Sequence, residues 1–238
     1  MMEIYYPPDF DFQKKLPAVI LYSDHRTTID ETSYVSWAQL IAASGMVAIT
    51  YQGTVACEED FVDLARYIKK QDSFLGVNSS KIGILASEAG IARFAETIET
   101  RFEDIPLQIT CAVCRIGRMP PPSELKPDFH ILVLNAGRGH EGIKHSVEMF
   151  RTDAMNLDID RKILDYTEGG HKFDVRKSTS RSREIIQPEL HSTMRSCFES
   201  WLAVKRRFGR ARKGSDRVIA RFLPGENGKS LETLDDWV

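Results

Sequence analysis

Short apolar runs recur along this chain between longer stretches whose apolar residues fall every three or four positions, and that alternation leaves few architectures open. Strands are expected over residues 18–22, 46–51, 82–86, 108–113, 130–134 and 162–166. Helical periods separate them over 34–43, 59–74, 89–100, 143–157 and 189–204. In the second of these, Phe61, Leu64, Ala65 and Ile68 share one face while charged residues fill the other. The strand runs are continuously apolar, as in strands covered on both faces. Strand and helix in alternation build a parallel sheet wrapped by helices. The expected fold class is therefore α/β, a mostly parallel sheet with helices on both faces. The 238 residues, 42% hydrophobic, are enough for one such domain to bury a core without a disulfide or a metal.

Several classes fall away at once. The longest apolar runs, 18–21 and 46–49, are far shorter than a membrane span, and residues 1–6 lack the basic and apolar blocks of a leader. A soluble, cytoplasmic protein with no membrane partner is expected. Of the four cysteines, Cys111 and Cys114 form a CxxC pair, but inside a strand residues three apart point to opposite faces. They are read as buried thiols. Asp24, His25, Glu88, His140 and His171 carry ligand-type side chains without any local ligand spacing, so no metal and no cofactor is assigned.

The most informative stretch is 82–100, where an apolar strand passes into an amphipathic helix across Ala86 to Gly90. Together with its surroundings it resembles the α/β-hydrolases, in particular their small, nearly capless, dienelactone-hydrolase-like branch. "LPAVILYSDH" and "WAQLIAASGMVAITYQ" are similar to the first core strand, oxyanion loop and next strand of that family. "KIGILASEAG" resembles its nucleophile elbow, "VLNAGRGHEGI" the loop bearing the catalytic acid, and "DRKILDYTEGGHKFDV" the last strand leading to the catalytic histidine. The resemblance spans residues 16–204 and places the histidine's role on His171.

The chemistry of that family needs a Ser or Cys at the apex of the elbow, with small residues two positions to either side. With Ser87 at the apex, Leu85 would occupy a position too tight for it; with Glu88 there, Ala86 and Gly90 fill both flanks. Sterics select Glu88, leaving Ser87 a weaker candidate, and the nucleophile position holds a carboxylate. The acid position falls on Gly139, with Glu141 nearby as a displaced substitute. The oxyanion loop reads Ser23, Asp24, His25 in place of small residues; with Arg138 these are the expected pocket-lining positions. The resemblance thus implies a hydrolase superfamily member whose triad is dismantled, a pseudoenzyme with a binding or regulatory role toward a small molecule.

Glu88 admits three readings at this stage. Its carboxylate can occupy the vacated anion site at a helix N-terminus and pair with His171. It can act as a carboxylate nucleophile, with His171 activating water. Or Glu88 and His171 can serve as an acid–base pair in an enzyme acting on small carbonyl compounds, whether hydrolase, lyase or isomerase.

Residues 205–238 differ in composition from the 1–204 domain. Positions 205–221 carry eight basic side chains against Asp216 alone, on a chain whose net charge is −2. Only Phe208 interleaves with the basic residues, which argues against nucleic acid. Phe222, Leu223, Leu231, Leu234 and Trp237 are too many apolar groups for a solvated tail, so the extension is expected to pack on folded protein, its own or that of a second copy in a homo-oligomer.

Overall fold

The computed structural model describes residues 2–8, 10–23, 31–51, 58–115, 117–120, 130–156, 161–170 and 219–222, with 193, 196–198 and 200–202 between the last two. For Ser23, 31–33, 168–170 and 219–222 the backbone alone is described.

Eight strands form one sheet: β1 (Met2–Tyr5), β2 (Leu16–Ser23), β3 (Val47–Tyr51), β4 (Val77–Ser87), β5 (Ile109–Arg115), β6 (His130–Arg138), β7 (Arg161–Gly170) and β8 (Ile219–Phe222). Their order is β7-β6-β5-β4-β2-β3-β1-β8. Strands β2 to β7 are mutually parallel, whereas β1 runs antiparallel to both β3 and β8. Helices α1 (Glu31–Ala43), α2 (Glu58–Gln71), α3 (Ala89–Arg101) and α4 (Glu141–Asn156) make the crossovers. The order reverses at β2, where β3 lies to one side and β4 to the other, and ligands of open α/β sheets bind at such a switch.

Both faces of the sheet are covered. Ile20, Ile84, Ala112 and Val133 meet Phe61 and Ile68 of α2, Phe94 of α3 and Phe150 of α4 on one side. Val19, Leu85, Val113 and Leu132 meet Trp37 and Ile41 of α1 with Phe198 and Leu202 on the other. This explains why the strands read as unbroken apolar runs. Cys111 lies on the second face and Cys114 on the first, and burial pushes both thiols up to about 12. Neither is a reactive thiolate.

Helix ends follow their glycines. At the end of α1, Gly45 (φ 85) donates to the Ala42 carbonyl and Met46 to that of Ile41, the paired bonds that left-handed glycine allows. Gly76 (φ 61) repeats the pattern after α2, with Val77 donating to the Asp72 carbonyl. The helical period expected over 59–74 therefore stops at Gln71, and 72–76 form the turn.

The Asp72 carboxylate fastens this turn to the sheet. It accepts from Lys15 Nζ (2.7 Å), Ser79 Oγ (3.0 Å) and Ser73 Oγ (3.2 Å), tying α2 to the starts of β2 and β4. The Lys15 hydrogen bond, supported by both serines, holds the carboxyl below the ordinary carboxylate range. A group with a depressed folded pKa stabilises fully above its unfolded value, about 3.9, and loses that contribution as pH falls through the folded one. Asp72→Asn is expected to lower stability by about 1 kcal/mol at pH 7, the upper end for a partly exposed pair. Denaturation midpoints of the two proteins should converge as pH falls through the depressed pKa of the folded carboxyl, below which both carry a neutral side chain; midpoints that stay equally far apart as acid is added would remove the charged state from this role.

Candidate functional site

The C-terminal ends of β2, β4, β5 and β6 share one rim, and the strand-to-helix turn after β4 stands at its centre. Glu88 forms the apex, at φ 53 and ψ −126, and among the described residues no other non-glycine residue has a positive φ. Ala86 is fully buried and Gly90 is packed within the first turn of α3, so both flanks are small where the turn is tight. The register expected from sterics is the one the backbone adopts.

Hydrogen bonds fasten the turn on both sides. The Glu88 N–H donates to the Arg115 carbonyl (3.2 Å), extending the β4–β5 ladder by one residue. The Glu88 carbonyl accepts from Ile91 (3.3 Å) and opens α3. Gly117, in the segment after β5, lies against that carbonyl: a Cβ there would stand 2.3 Å from the Glu88 oxygen. The Glu88 side chain is half-buried, at the rim rather than under it.

Ser87 is placed differently. It is buried (2% exposed), and its Oγ accepts from Arg115 Nε (3.1 Å) across the strand pair. Their register partnership puts both side chains on the α1 face, beneath the rim. Arg115 itself is 5% exposed, a buried cation that reads in sequence as nothing more than the end of an apolar run. A carboxylate at the apex with a guanidinium one strand away makes this part of the rim strongly polar, and hydrogen bonding inside a partly dry site gives such groups fixed directions.

The positions expected for the acid lie two strands further along, about 10 Å from the elbow by strand spacing. Arg138 is exposed at the end of β6, and Gly139 turns the chain by donating to the Ala136 carbonyl (2.9 Å). His140 precedes α4, where its Nδ1 accepts from the Gly142 N–H (3.1 Å). The Glu141 carboxylate is exposed and bonded to Lys144 Nζ at 2.8 Å, an interaction that holds it below the ordinary carboxylate range. It points along its own helix. Ser23 pairs in register with Ser87, so the oxyanion-loop position starts beside the elbow. Asp24, His25 and His171 lie outside the described residues, as does most of the loop after β5.

Below the acid loop, Asn135 of β6 donates to Asp165 of β7 (2.9 Å), and Arg151 of α4 donates to the other Asp165 oxygen (2.8 Å). Burial works to raise the Asp165 pKa, but the two donors outweigh it and the carboxyl lies below its usual value. This trio anchors the edge strand to α4 on the face opposite Ser87 and Arg115.

The apex conformation carries a cost. Non-glycine residues in sparsely populated backbone regions cost about 1 to 3 kcal/mol, and glycine's extra chain entropy recovers part of that on substitution. Glu88→Gly is expected to stabilise the fold by about 1 kcal/mol, read as a higher denaturation midpoint. A lower midpoint would mean that contacts of the Glu88 side chain outweigh its backbone strain.

Among the described residues no helix is long and apolar enough to cross a membrane, and no group of three or more His, Cys, Asp or Glu is arranged to hold a metal. No protein-family model matches the chain, and no curated protein does. Solved structures do. Native esterase 2 of Thermogutta terrifontis superposes with a TM-score of 0.69 at 13% identity, over 87% of this chain and 90% of that one. The butyrate-bound form gives 0.68 at 14%, over 86% and 91%. An esterase of the fungus Rhizomucor miehei gives 0.70 at 11%, over 85% and 79%. With the sheet order and the apex turn, this likeness identifies the architecture of the chain as the α/β-hydrolase fold.

Proposed function

We propose that this protein uses the rim of an α/β-hydrolase fold to bind a small molecule in a binding or regulatory role, without serine or cysteine hydrolysis. The observation that carries the reading is the apex itself: the backbone conformation that presents a nucleophile in this fold presents the Glu88 carboxylate instead. The displaced acid supports it, since Gly139 has no side chain and Glu141 is bound to Lys144. The dienelactone-like branch remains part of this proposal, resting on the motifs around Trp37 and His171. So does a cytoplasmic setting.

A second reading is favoured by one observation, the half-buried position of Glu88. A carboxylate sealed under side chains could only be structural, whereas one at the rim can exchange a proton with a small carbonyl compound, His171 acting as its partner. One screen separates the two readings. Aryl esters and small ketones in deuterated buffer are followed with the wild-type protein and with Glu88→Ala. The binding role predicts no turnover and no exchange above buffer; exchange that Glu88→Ala abolishes would replace it with the enzymatic one.

A further inference from the structure

Three aromatic side chains that the fold leaves exposed gather at one place, and none of the chemistry above uses them. Phe12 is 46% exposed, Phe74 52% and Tyr67 37%. Phe12 stands in the turn between β1 and β2, and Phe74 in the turn between α2 and β4. The two turns are joined: the Leu16 N–H donates to the Gly76 carbonyl (2.8 Å), and the Phe10 ring and Lys14 carbonyl lie against Gly76. Tyr67, one turn before the end of α2, is close enough to Tyr6 to add to the burial that pushes the Tyr6 hydroxyl up to about 12.

Packing from below holds the outermost rings in place. Phe12 rests on Phe10 and Tyr6, with ring centroids 4.8 and 5.0 Å away, and those two rings pack into the core. A ring already fixed in an outward position loses little conformational entropy when another surface covers it.

Lysines surround the rings. Lys14 and Lys15 follow Phe12, and Lys69 and Lys70 lie between Tyr67 and Phe74. Among the described residues the acids beside them are Asp11 and Asp72, bonded to Lys14 and Lys15 at 2.7 Å each, and Asp63, which is balanced by Arg66. Lys69 is bonded to the Ser79 hydroxyl (3.0 Å), and Lys70 is exposed. This surface is therefore positive, on a body that totals −9 once residues 205–221, with eight basic and one acidic side chain, are set aside.

Both turns precede their strands, so the surface lies at the N-terminal ends of the parallel strands and faces away from the rim. Phe12 and Phe74 are the most exposed rings among the described residues, and both stand on turns. Nucleic acid strands are held in grooves where successive bases stack. Aromatic rings on turns, with lysines at their base, suit a soft anionic layer instead: the rings enter the headgroup region and the ammonium groups meet lipid phosphates and carboxylates.

We propose that Phe12, Tyr67 and Phe74, with Lys14, Lys15 and Lys70, form a contact surface for the anionic leaflet of a membrane, on which the protein rests with its rim turned to solution. The same leaflet repels the acidic remainder of the body, which fixes the side that faces it. The expectation of no membrane partner rested on the lack of a long apolar run. Contact at the surface needs no such run, and residues this far apart along the chain leave none.

Co-sedimentation with vesicles tests this. The full-length protein is expected to bind phosphatidylcholine vesicles containing about one third phosphatidylserine at least tenfold more tightly than pure phosphatidylcholine vesicles. Phe74→Ser should weaken that binding about tenfold, and Lys14→Glu with Lys70→Glu at least as much. The circular dichroism spectrum should stay unchanged in each, since these side chains face solvent. Tryptophan emission of Phe74→Trp should move to the blue on the anionic vesicles and not on the neutral ones. Failure to bind anionic vesicles overturns the proposal. Binding that the substitutions leave intact overturns it too, and loss of that binding in Arg206→Ser with Arg207→Ser and Arg210→Ser then assigns it to the basic extension. Binding of single-stranded RNA in place of vesicles, weakened by Phe74→Ser, assigns the surface to nucleic acid and overturns it as well.

Discussion

Aryl esters are expected to hydrolyse in the presence of this protein no faster than in buffer, across acyl chains from acetate to butyrate. The reason lies in where charge develops. Attack on an ester puts negative charge on the carbonyl oxygen, and esterases stabilise it with donors set around the elbow. Here an anion stands at the apex of that elbow. At about 4 Å, in a partly shielded site, like charges oppose one another by about 4 kcal/mol, close to a thousandfold in rate. Absence of a nucleophile and of an orienting acid adds to this, since Ser87 is buried and held by Arg115, and the carboxylate of Glu141 is held by Lys144. The measurement is release of nitrophenol at a protein concentration high enough to detect single turnovers. Turnover that His171→Ala abolishes would overturn the expectation and restore a working hydrolase to this fold.

The elbow was legible from the sequence because its constraint is local. Two residues either side of the apex must be small, and in "LASEAG" only one register satisfies this. Strands β2 to β6 were legible for a related reason, since each is buried on both faces and reads as an apolar run whatever its neighbours are. The two strands that pair antiparallel at one side of the sheet were not. β1, with the sequence MEIY, and β8, with IARF, are four residues long; β1 pairs with the distant β3, and β8 pairs with β1 across more than two hundred residues of chain. No local pattern announces such a pairing. The strand ends also ran longer than their apolar cores, β7 reaching Gly170 and β4 starting at Val77, because hydrogen-bonded ladders continue past the buried residues. Arg115 was missed on similar grounds: a charged residue at the end of an apolar run reads as the first residue in solvent, and only the register with Ser87 shows it buried.

The clamp on the apex should be measurable through Gly117. Its φ is unremarkable for an L-residue, so backbone strain gives alanine no penalty there. Space does: a Cβ at 117 would lie 2.3 Å from the Glu88 carbonyl oxygen, 3.0 Å from its carbon and 2.7 Å from Ile91 Cδ1. Two of these atoms are backbone that the Arg115 and Ile91 hydrogen bonds already fix, so they cannot yield as a side chain could. Gly45 offers the opposite case, with φ 85 and nothing within 4 Å of an added Cβ. Alanine there should cost about 1 kcal/mol, from strain alone. Gly117→Ala is expected to cost about 3 kcal/mol, the upper range for overpacking against a rigid neighbour, lowering the melting temperature by roughly 6 to 12 °C in a chain of this size. The binding proposed for the rim should weaken with it, because the displaced atom is the carbonyl that opens α3 and sets the direction of Glu88. A cost for Gly117→Ala no greater than for Gly45→Ala would show that the segment after β5 swings aside freely. The apex would then be held by the β4–α3 turn alone, and Glu88 would keep its strained conformation without the support of β5.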